Sequence, residues 1–233
     1  MNARGKFIAI EGIDGSGKRT QLDLLAGELN ARGLSTLCIS FPRYDSFCGA
    51  LAGRYLNGDF GPLESIDPHL SSMLYAADRM EAKPEMEAAL AAGTMVLSDR
   101  YVGSNLAHQT ARVAPEKREE FISWLKQLEY GIYGLPVEDL VVYLRVPVAE
   151  AHRLVGLKSA RAYTNRKRDI HEADVTHLEQ TASVYDRLAT DANWTRIECV
   201  DDRAGALLSP EEIHKAVVRA VDAHLLPAAR VNS

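Results

Sequence analysis

Cysteine is scarce in this sequence, and the three that occur, Cys38, Cys48 and Cys199, form no C-x-x-C pair. That leaves no disulfide framework and no paired-cysteine redox or zinc motif to read. Cys38 and Cys199 sit in apolar, strand-like runs, which predicts buried free thiols in a reducing compartment. Long apolar runs are missing too, since none approaches the ~18 residues that a membrane span needs. No apolar signal segment precedes the first strand-like run, so no membrane partner is expected and the expected location is cytoplasmic. Basic charge is not in excess. A net charge of −5 and a pI of about 5.8 argue against a general nucleic-acid binder. Internal repeats, low-complexity linkers and convincing domain boundaries are absent, so residues 1–233 are expected to form one domain.

What is present begins at the N-terminus. Phe7-Ile8-Ala9-Ile10 is a short apolar run of the kind that forms a buried strand. Leu22, Leu25, Ala26 and Leu29 then fall on one helical face. Between them lies E-G-I-D-G-S-G-K-R-T, with Gly12, Ile13, Asp14, Gly15, Ser16, Gly17 and Lys18 in P-loop spacing. The glycines let backbone N–H groups approach a phosphate, the helix N-terminus adds partial positive charge, and Lys18 reaches the outer phosphates. One position departs from the pattern. The residue after the lysine should carry a hydroxyl for Mg²⁺, and it is Arg19; Thr20 comes one residue late, about 100° further round the helix.

Strand-like and helix-like segments alternate along the rest. Ser35 to Phe41, Met95 to Ser98, Leu140 to Val146 and Thr195 to Val200 read as further strands. Pro68 to Ala92 reads as helical, with Pro84 starting a second helix or kinking a single one. Glu116 to Tyr130, a segment around Leu178 to Ala189, and Ile213 to Leu225 read as helices as well. This alternation predicts an α/β fold, a five-stranded parallel sheet with helices on both faces. Ligands of such sheets bind beyond the carboxyl ends of the strands. Phe41-Pro42-Arg43-Tyr44 and Asp99-Arg100-Tyr101 occupy that position after the second and third strands. Alone, Asp99-Arg100 would read as a structural ion pair or a helix cap. Beside a P-loop, Asp99 reads as a Walker-B-like carboxylate near the Mg²⁺ hydration shell and Arg100 as a phosphate fork.

Taken together, Gly12–Thr20, Phe41-Pro42-Arg43-Tyr44, Asp78-Arg79, Asp99-Arg100-Tyr101 and a basic stretch before Asp169-Ile170-His171-Glu172 resemble the thymidylate kinase family, in family order from Phe7 to about Val221. The resemblance implies a P-loop kinase fold with a short basic lid at about 157–170. It implies transfer of the γ-phosphoryl group of ATP to dTMP, with Mg²⁺ as cofactor. ATP would lie on residues Gly12 to Thr20. Asp14 and Lys18 would be catalytic, with Asp14 and Asp99 acting on the metal indirectly. The acceptor would meet Phe41, Pro42, Arg43, Tyr44, Tyr75, Arg79, Arg100, Ser104, Asn105, His108 and His171. In that assignment Tyr75 stacks on the base, Arg79 donates to a base carbonyl and Arg100 clamps the acceptor phosphate. On their own, Tyr75 and Arg79 would be a core aromatic and a solvated arginine on a long helix. Some family members carry an arginine within the P-loop. Here Gly15-Ser16 carries no charge, so the cation at the transferring group is expected from Arg161, Arg166 or Arg168. A homodimer is implied by the resemblance alone. His108 stands where the family has a bulky aromatic near the sugar 2′-carbon, and His171 where an aromatic often precedes the glutamate. The readings held against this one are another nucleoside-monophosphate or deoxynucleoside kinase, and a P-loop regulator that binds ATP.

Overall fold

The computed structural model describes residues 4–62, 65–161, 175–201 and 205–225, and, within helix α6, side chains only up to residue 155. Five strands form one sheet: β1 (Phe7–Glu11), β2 (Thr36–Ser40), β3 (Met95–Asp99), β4 (Leu140–Arg145) and β5 (Trp194–Glu198). Their order is β2-β3-β1-β4-β5 and every pairing is parallel. β1 lies at the centre, flanked by β3 and β4, and the residues from Phe7 to Ile10 and from Val96 to Ser98 are fully buried. That burial is why both read as unbroken apolar runs rather than alternating ones.

The helices are α1 (Lys18–Ala31), α2 (Phe47–Leu56), α3 (Pro68–Ala91), α4 (Val102–Thr110), α5 (Arg118–Lys126), α6 (Val148–Arg161), α7 (Val175–Leu188) and α8 (Pro210–Leu225). The β1-α1-β2 crossover steps outward past β3, whereas β2 to β3 and β3 to β4 step the other way. Right-handed crossovers then place α1 on one face and α3 with α4 on the other. α8 packs on α1, and α7 packs on α4, completing the two layers. The direction of winding reverses between β1 and β3. A crevice opens at their carboxyl ends for that reason, as the topology of open α/β sheets dictates.

Several expectations change in detail. Of the two alternatives at Pro84, the new helix is excluded and the single helix stands, because α3 runs through it from Pro68 to Ala91. Pro84 is exposed, so water can take the carbonyl that its missing N–H leaves behind. The segment from Glu116 to Tyr130 divides into a 3₁₀ turn at Pro115–Lys117, α5, and a π-helical turn at Gln127–Ile132. α2 has no strong apolar period and was not foreseen; Ser46 caps it by accepting from Gly49 N at 3.0 Å. Cys199 is buried as expected, but Cys38 is exposed. β2 is an edge strand on which Ile39 faces the core and Cys38 turns the other way.

Candidate active site

The P-loop follows β1 directly. Gly12, Gly15 and Gly17 all have positive φ, at 148°, 85° and 84°. A Cβ on Gly15 would lie 2.4 Å from the Ala151 carbonyl oxygen, and one on Gly12 would lie 2.7 Å from that of Leu144. The loop is therefore fixed by close backbone approach to β4 and α6. Gly17 is the N-cap of α1 and makes no side-chain cap bond, so the first-turn N–H groups stay available for an anion. Lys18 is buried and its Nζ donates to the carbonyls of Gly12 and Ile13, both at 2.9 Å. Burial, and then the nearby Arg100 cation, pull its pKa down to about 8, against the opposing pull of Asp14, Asp99 and Glu11. A lysine so depressed gains much from a phosphate that restores its charge.

At the end of β3, Asp99 lies beside Ile10 of β1 and Ser40 of β2. Its Oδ1 is buried with no hydrogen-bond partner among the described residues. Arg100 follows with φ 65°, a left-handed conformation uncommon for a residue with a Cβ. That turn throws its guanidinium back over the P-loop, where Nη2 donates to Asp14 Oδ1. Nη1 reaches Ser104 Oγ at 3.1 Å and His108 Nε2 at 3.2 Å. An arginine has only donors, so His108 Nε2 accepts and the ring proton sits on Nδ1.

Glu11 ties the two loops together, and sequence reading did not single it out. Fully buried at the end of β1, it accepts from Tyr101 N at 2.7 Å, Ser104 N at 3.0 Å, Ser104 Oγ at 2.6 Å and Tyr185 Oη at 2.8 Å. Tyr101 is the N-cap of α4 but makes no cap bond with its own side chain. The Glu11 carboxylate caps α4 instead, from another strand. A lone glutamate closing an apolar strand was the available signal.

A cavity of about 430 Å³ opens between these elements. Its size suits a nucleotide-sized ligand. Of the residues expected at the acceptor, Phe41, Pro42, Tyr44, Tyr75, Arg79, Arg100, Ser104, Asn105 and His108 all line it, together with Asp14, Arg19 and Asp99. Arg43 does not. Its backbone N and its Nε donate to the two carboxylate oxygens of Asp78, at 2.8 and 2.9 Å, which anchors the loop after β2 to α3. Thr20 is exposed and outside the cavity wall, and Arg19 pairs with Asp23 at 3.0 Å on its own helix. Arg166, Arg168 and His171 lie outside the described residues, as does the side chain of Arg161.

The far wall holds a second feature that sequence reading missed. Arg79 is buried and forms a two-pronged pair with Glu129, Nε to Oε2 at 2.6 Å and Nη2 to Oε1 at 2.5 Å. Burial opposes the Arg79 charge, and the Glu129 carboxylate more than offsets it, so its pKa is raised. Asn105 Nδ2 also donates to Glu129 Oε1, at 2.7 Å. Glu129 stands in the π-helical turn, far from the acceptor motifs in sequence, so no motif pointed to it.

A phosphate-binding loop, an aspartate and an arginine at the next strand end, and a second pocket on the parallel sheet define a P-loop kinase. Residues 10–204 match the model of the thymidylate kinase family. The chain is 33% identical over 216 residues to the thymidylate kinase of Mycobacterium tuberculosis, spanning 89% of this chain and 99% of that one. It is 31% identical over 226 residues to a probable thymidylate kinase of Pyrococcus abyssi, spanning 96% and 98%. A solved thymidylate kinase structure from Candida albicans superposes with a TM-score of 0.73 at 20% identity, covering 96% of this chain and 93% of that one. The chain belongs to the thymidylate kinase family.

Proposed function

We propose that this protein transfers the γ-phosphoryl group of ATP to dTMP, giving dTDP and ADP in deoxythymidine nucleotide biosynthesis. The observation that carries the reading is the adjacency of two sites. The P-loop supplies a donor phosphate cradle, and the cavity beside it holds the arginine, the ring and the amide that an acceptor nucleotide needs. Arg100 would clamp the acceptor phosphate, Tyr75 would stack on the base and Arg79 would donate to a base carbonyl. Lys18 and the loop amides would hold the donor phosphates, and Asp14 would sit between donor and acceptor.

Mg²⁺ fits the residues present. No cluster of three or more acidic, His or Cys ligands occurs among the described residues. Mg²⁺ does not require one, since it keeps its waters and uses one or two carboxylates with substrate phosphates. Asp99, with its unpartnered Oδ1, is the group that would hold its hydration shell, and Arg19 has no acceptor atom to offer. When bound, the ion neutralises charge on the donor phosphates. The remaining cation is assigned, on resemblance alone, to one of Arg161, Arg166 and Arg168.

The cytoplasm is the proposed compartment; no helix among the described residues is long and apolar enough to cross a membrane. A homodimer is the proposed assembly. Leu70, Met73 and Met80 are exposed along one stripe of α3, which supports a second copy as its cover. Sedimentation should then show twice the monomer mass.

The deciding measurement is ADP formation from ATP with a panel of nucleoside monophosphates. We expect dTMP first, dUMP below it, and dCMP and AMP poor. Absence of dTMP-dependent ADP formation overturns the reading.

A further inference from the structure

Glu129 carries a buried charge that no P-loop chemistry requires. It joins three elements: Arg79 from α3, Asn105 from α4, and its own π-helical turn after α5. Each bond fixes the face that its partner has left for a ligand. Arg79 commits Nε–H and one N–H of Nη2 to Glu129, so the donors left for a ligand are those of Nη1 and the second N–H of Nη2. Asn105 commits Nδ2 twice, to Glu129 Oε1 at 2.7 Å and to the Ser72 carbonyl at 3.1 Å. Both of those partners are acceptors, so the amide cannot turn over without setting oxygen against oxygen. Asn105 Oδ1 is therefore the acceptor side, buried and without a partner among the described residues. Both residues line the cavity.

From this we infer that Glu129 is the positioning residue for base selection, holding Arg79 as a donor and Asn105 as an acceptor side by side on the cavity wall. The inference rests on the acceptor reading above and deepens it. A donor next to an acceptor matches a pyrimidine whose edge offers a carbonyl beside an N–H, as thymine and uracil do. Cytosine reverses both, with an amino group beside a bare ring nitrogen. Binding it would set donor against donor and acceptor against acceptor, and a buried polar group left unpaired is what generates strong discrimination. Glu129 touches neither base nor phosphate in this arrangement. It acts by making both selecting groups stand one way.

The test is kcat/KM for dTMP and dCMP in the unmodified protein, Glu129→Gln and Glu129→Asp. A glutamine cannot accept from Arg79 Nε, Arg79 Nη2 and Asn105 Nδ2 together, because one of its two positions is a donor. The aspartate keeps the charge that Arg79 needs in the interior but withdraws the carboxylate by a methylene, so it tests the inference if the glutamine variant does not fold. We expect the dTMP-over-dCMP ratio to fall at least about tenfold in Glu129→Gln and about fivefold in Glu129→Asp, through a raised KM for dTMP, with KM for ATP unchanged. A merely structural role would lower the turnover of both acceptors together and leave their ratio alone. A ratio within twofold of the unmodified protein in the variants that fold overturns the inference. If the unmodified protein shows no preference for dTMP, the acceptor reading itself fails and takes this inference with it.

Discussion

Asp14 of the P-loop and Arg100 of the β3 turn are joined by a direct ion pair across the mouth of the cavity. Each is about four-fifths buried, and both line the space proposed for the acceptor. The pair links the donor loop to the acceptor clamp. Burial opposes the Arg100 charge and Asp14 more than compensates, so the guanidinium stays ionised at any working pH. A permanently charged, two-pronged donor held at that point suits the phosphate of an incoming nucleotide.

Arg100→Lys tests that role. Lysine keeps the charge and loses the fork, and it cannot reach Asp14, Ser104 and a phosphate at once. The expected outcome is a loss of about 10²-fold in kcat/KM for dTMP with ATP affinity held within about threefold. Steady-state kinetics with either substrate varied separates the two. Equal losses for both substrates would remove Arg100 from the acceptor site.

Lys18 gives a pH signature for the donor site. Its pKa of about 8 lies below the ordinary 10.5. Phosphate binding favours the charged amine, so ATP affinity should be flat below pH 8 and weaken above it, by up to about tenfold per pH unit. Titration calorimetry at pH 7 and pH 9 should show the loss together with proton uptake at the higher pH. Lys18→Arg, which cannot lose its proton in this range, should bind without that slope. A slope that persists in Lys18→Arg assigns it to another group.

Much of this arrangement was legible in the sequence, and the parts that were not share a cause. β1, β3 and β4 were readable because they are buried on both faces and hence continuously apolar. The P-loop and Asp99-Arg100 were readable because their chemistry needs particular residues next to one another. Glu11, Glu129 and the Arg43–Asp78 anchor were not, because each acts across the fold, on a partner supplied by another element. Arg43 illustrates this: the segment after β2 reads as a ligand contact, and what the sequence does not show is that Nε and Nη2 of Arg43 bond to Asp78 on α3. Cys38 is exposed where its apolar run predicts burial, because composition cannot tell an edge strand from a central one.

Glu138 predicts how stability varies with pH. It is buried beside Tyr130, whose Oη donates to it at 2.7 Å. Burial, reinforced by Glu11 and Glu129, outweighs that hydrogen bond and raises its pKa from 4.5 to about 7. The folded state therefore holds a proton that the unfolded state has released, and stability falls as pH rises from about 4.5 through 7. Each pKa unit is about 1.4 kcal/mol, so the contribution lost over that window is roughly 3 kcal/mol. Glu138→Gln is neutral throughout and should flatten this part of the profile. Tm measured from pH 5 to pH 8 in both proteins checks it, and parallel profiles would show that Glu138 is ionised in the folded protein.

His108 sets the last prediction, on the choice of sugar. Its ring lines the cavity, its Nε2 accepts from Arg100 Nη1, and the rings of His177 and Tyr185 lie near it at 5.8 Å and 6.3 Å. The resemblance places a bulky aromatic here, against the 2′-carbon of the acceptor. Imidazole is smaller than phenol and carries two ring nitrogens where a phenyl wall has only carbon. On the resemblance, a wall that would exclude a 2′-hydroxyl is replaced here by a smaller, polar ring. Preference for dTMP over its ribose analogue should be weak, within about tenfold, because a pocket without steric exclusion discriminates poorly against one added hydroxyl. His108→Tyr should strengthen it while also breaking the Arg100 contact, so kcat for dTMP should fall modestly at the same time. The measurement is kcat/KM for both acceptors in both proteins. If the unmodified protein already rejects the ribonucleotide by about 10³-fold and His108→Tyr leaves that ratio unchanged, the sugar is selected elsewhere and His108 serves only to orient Arg100.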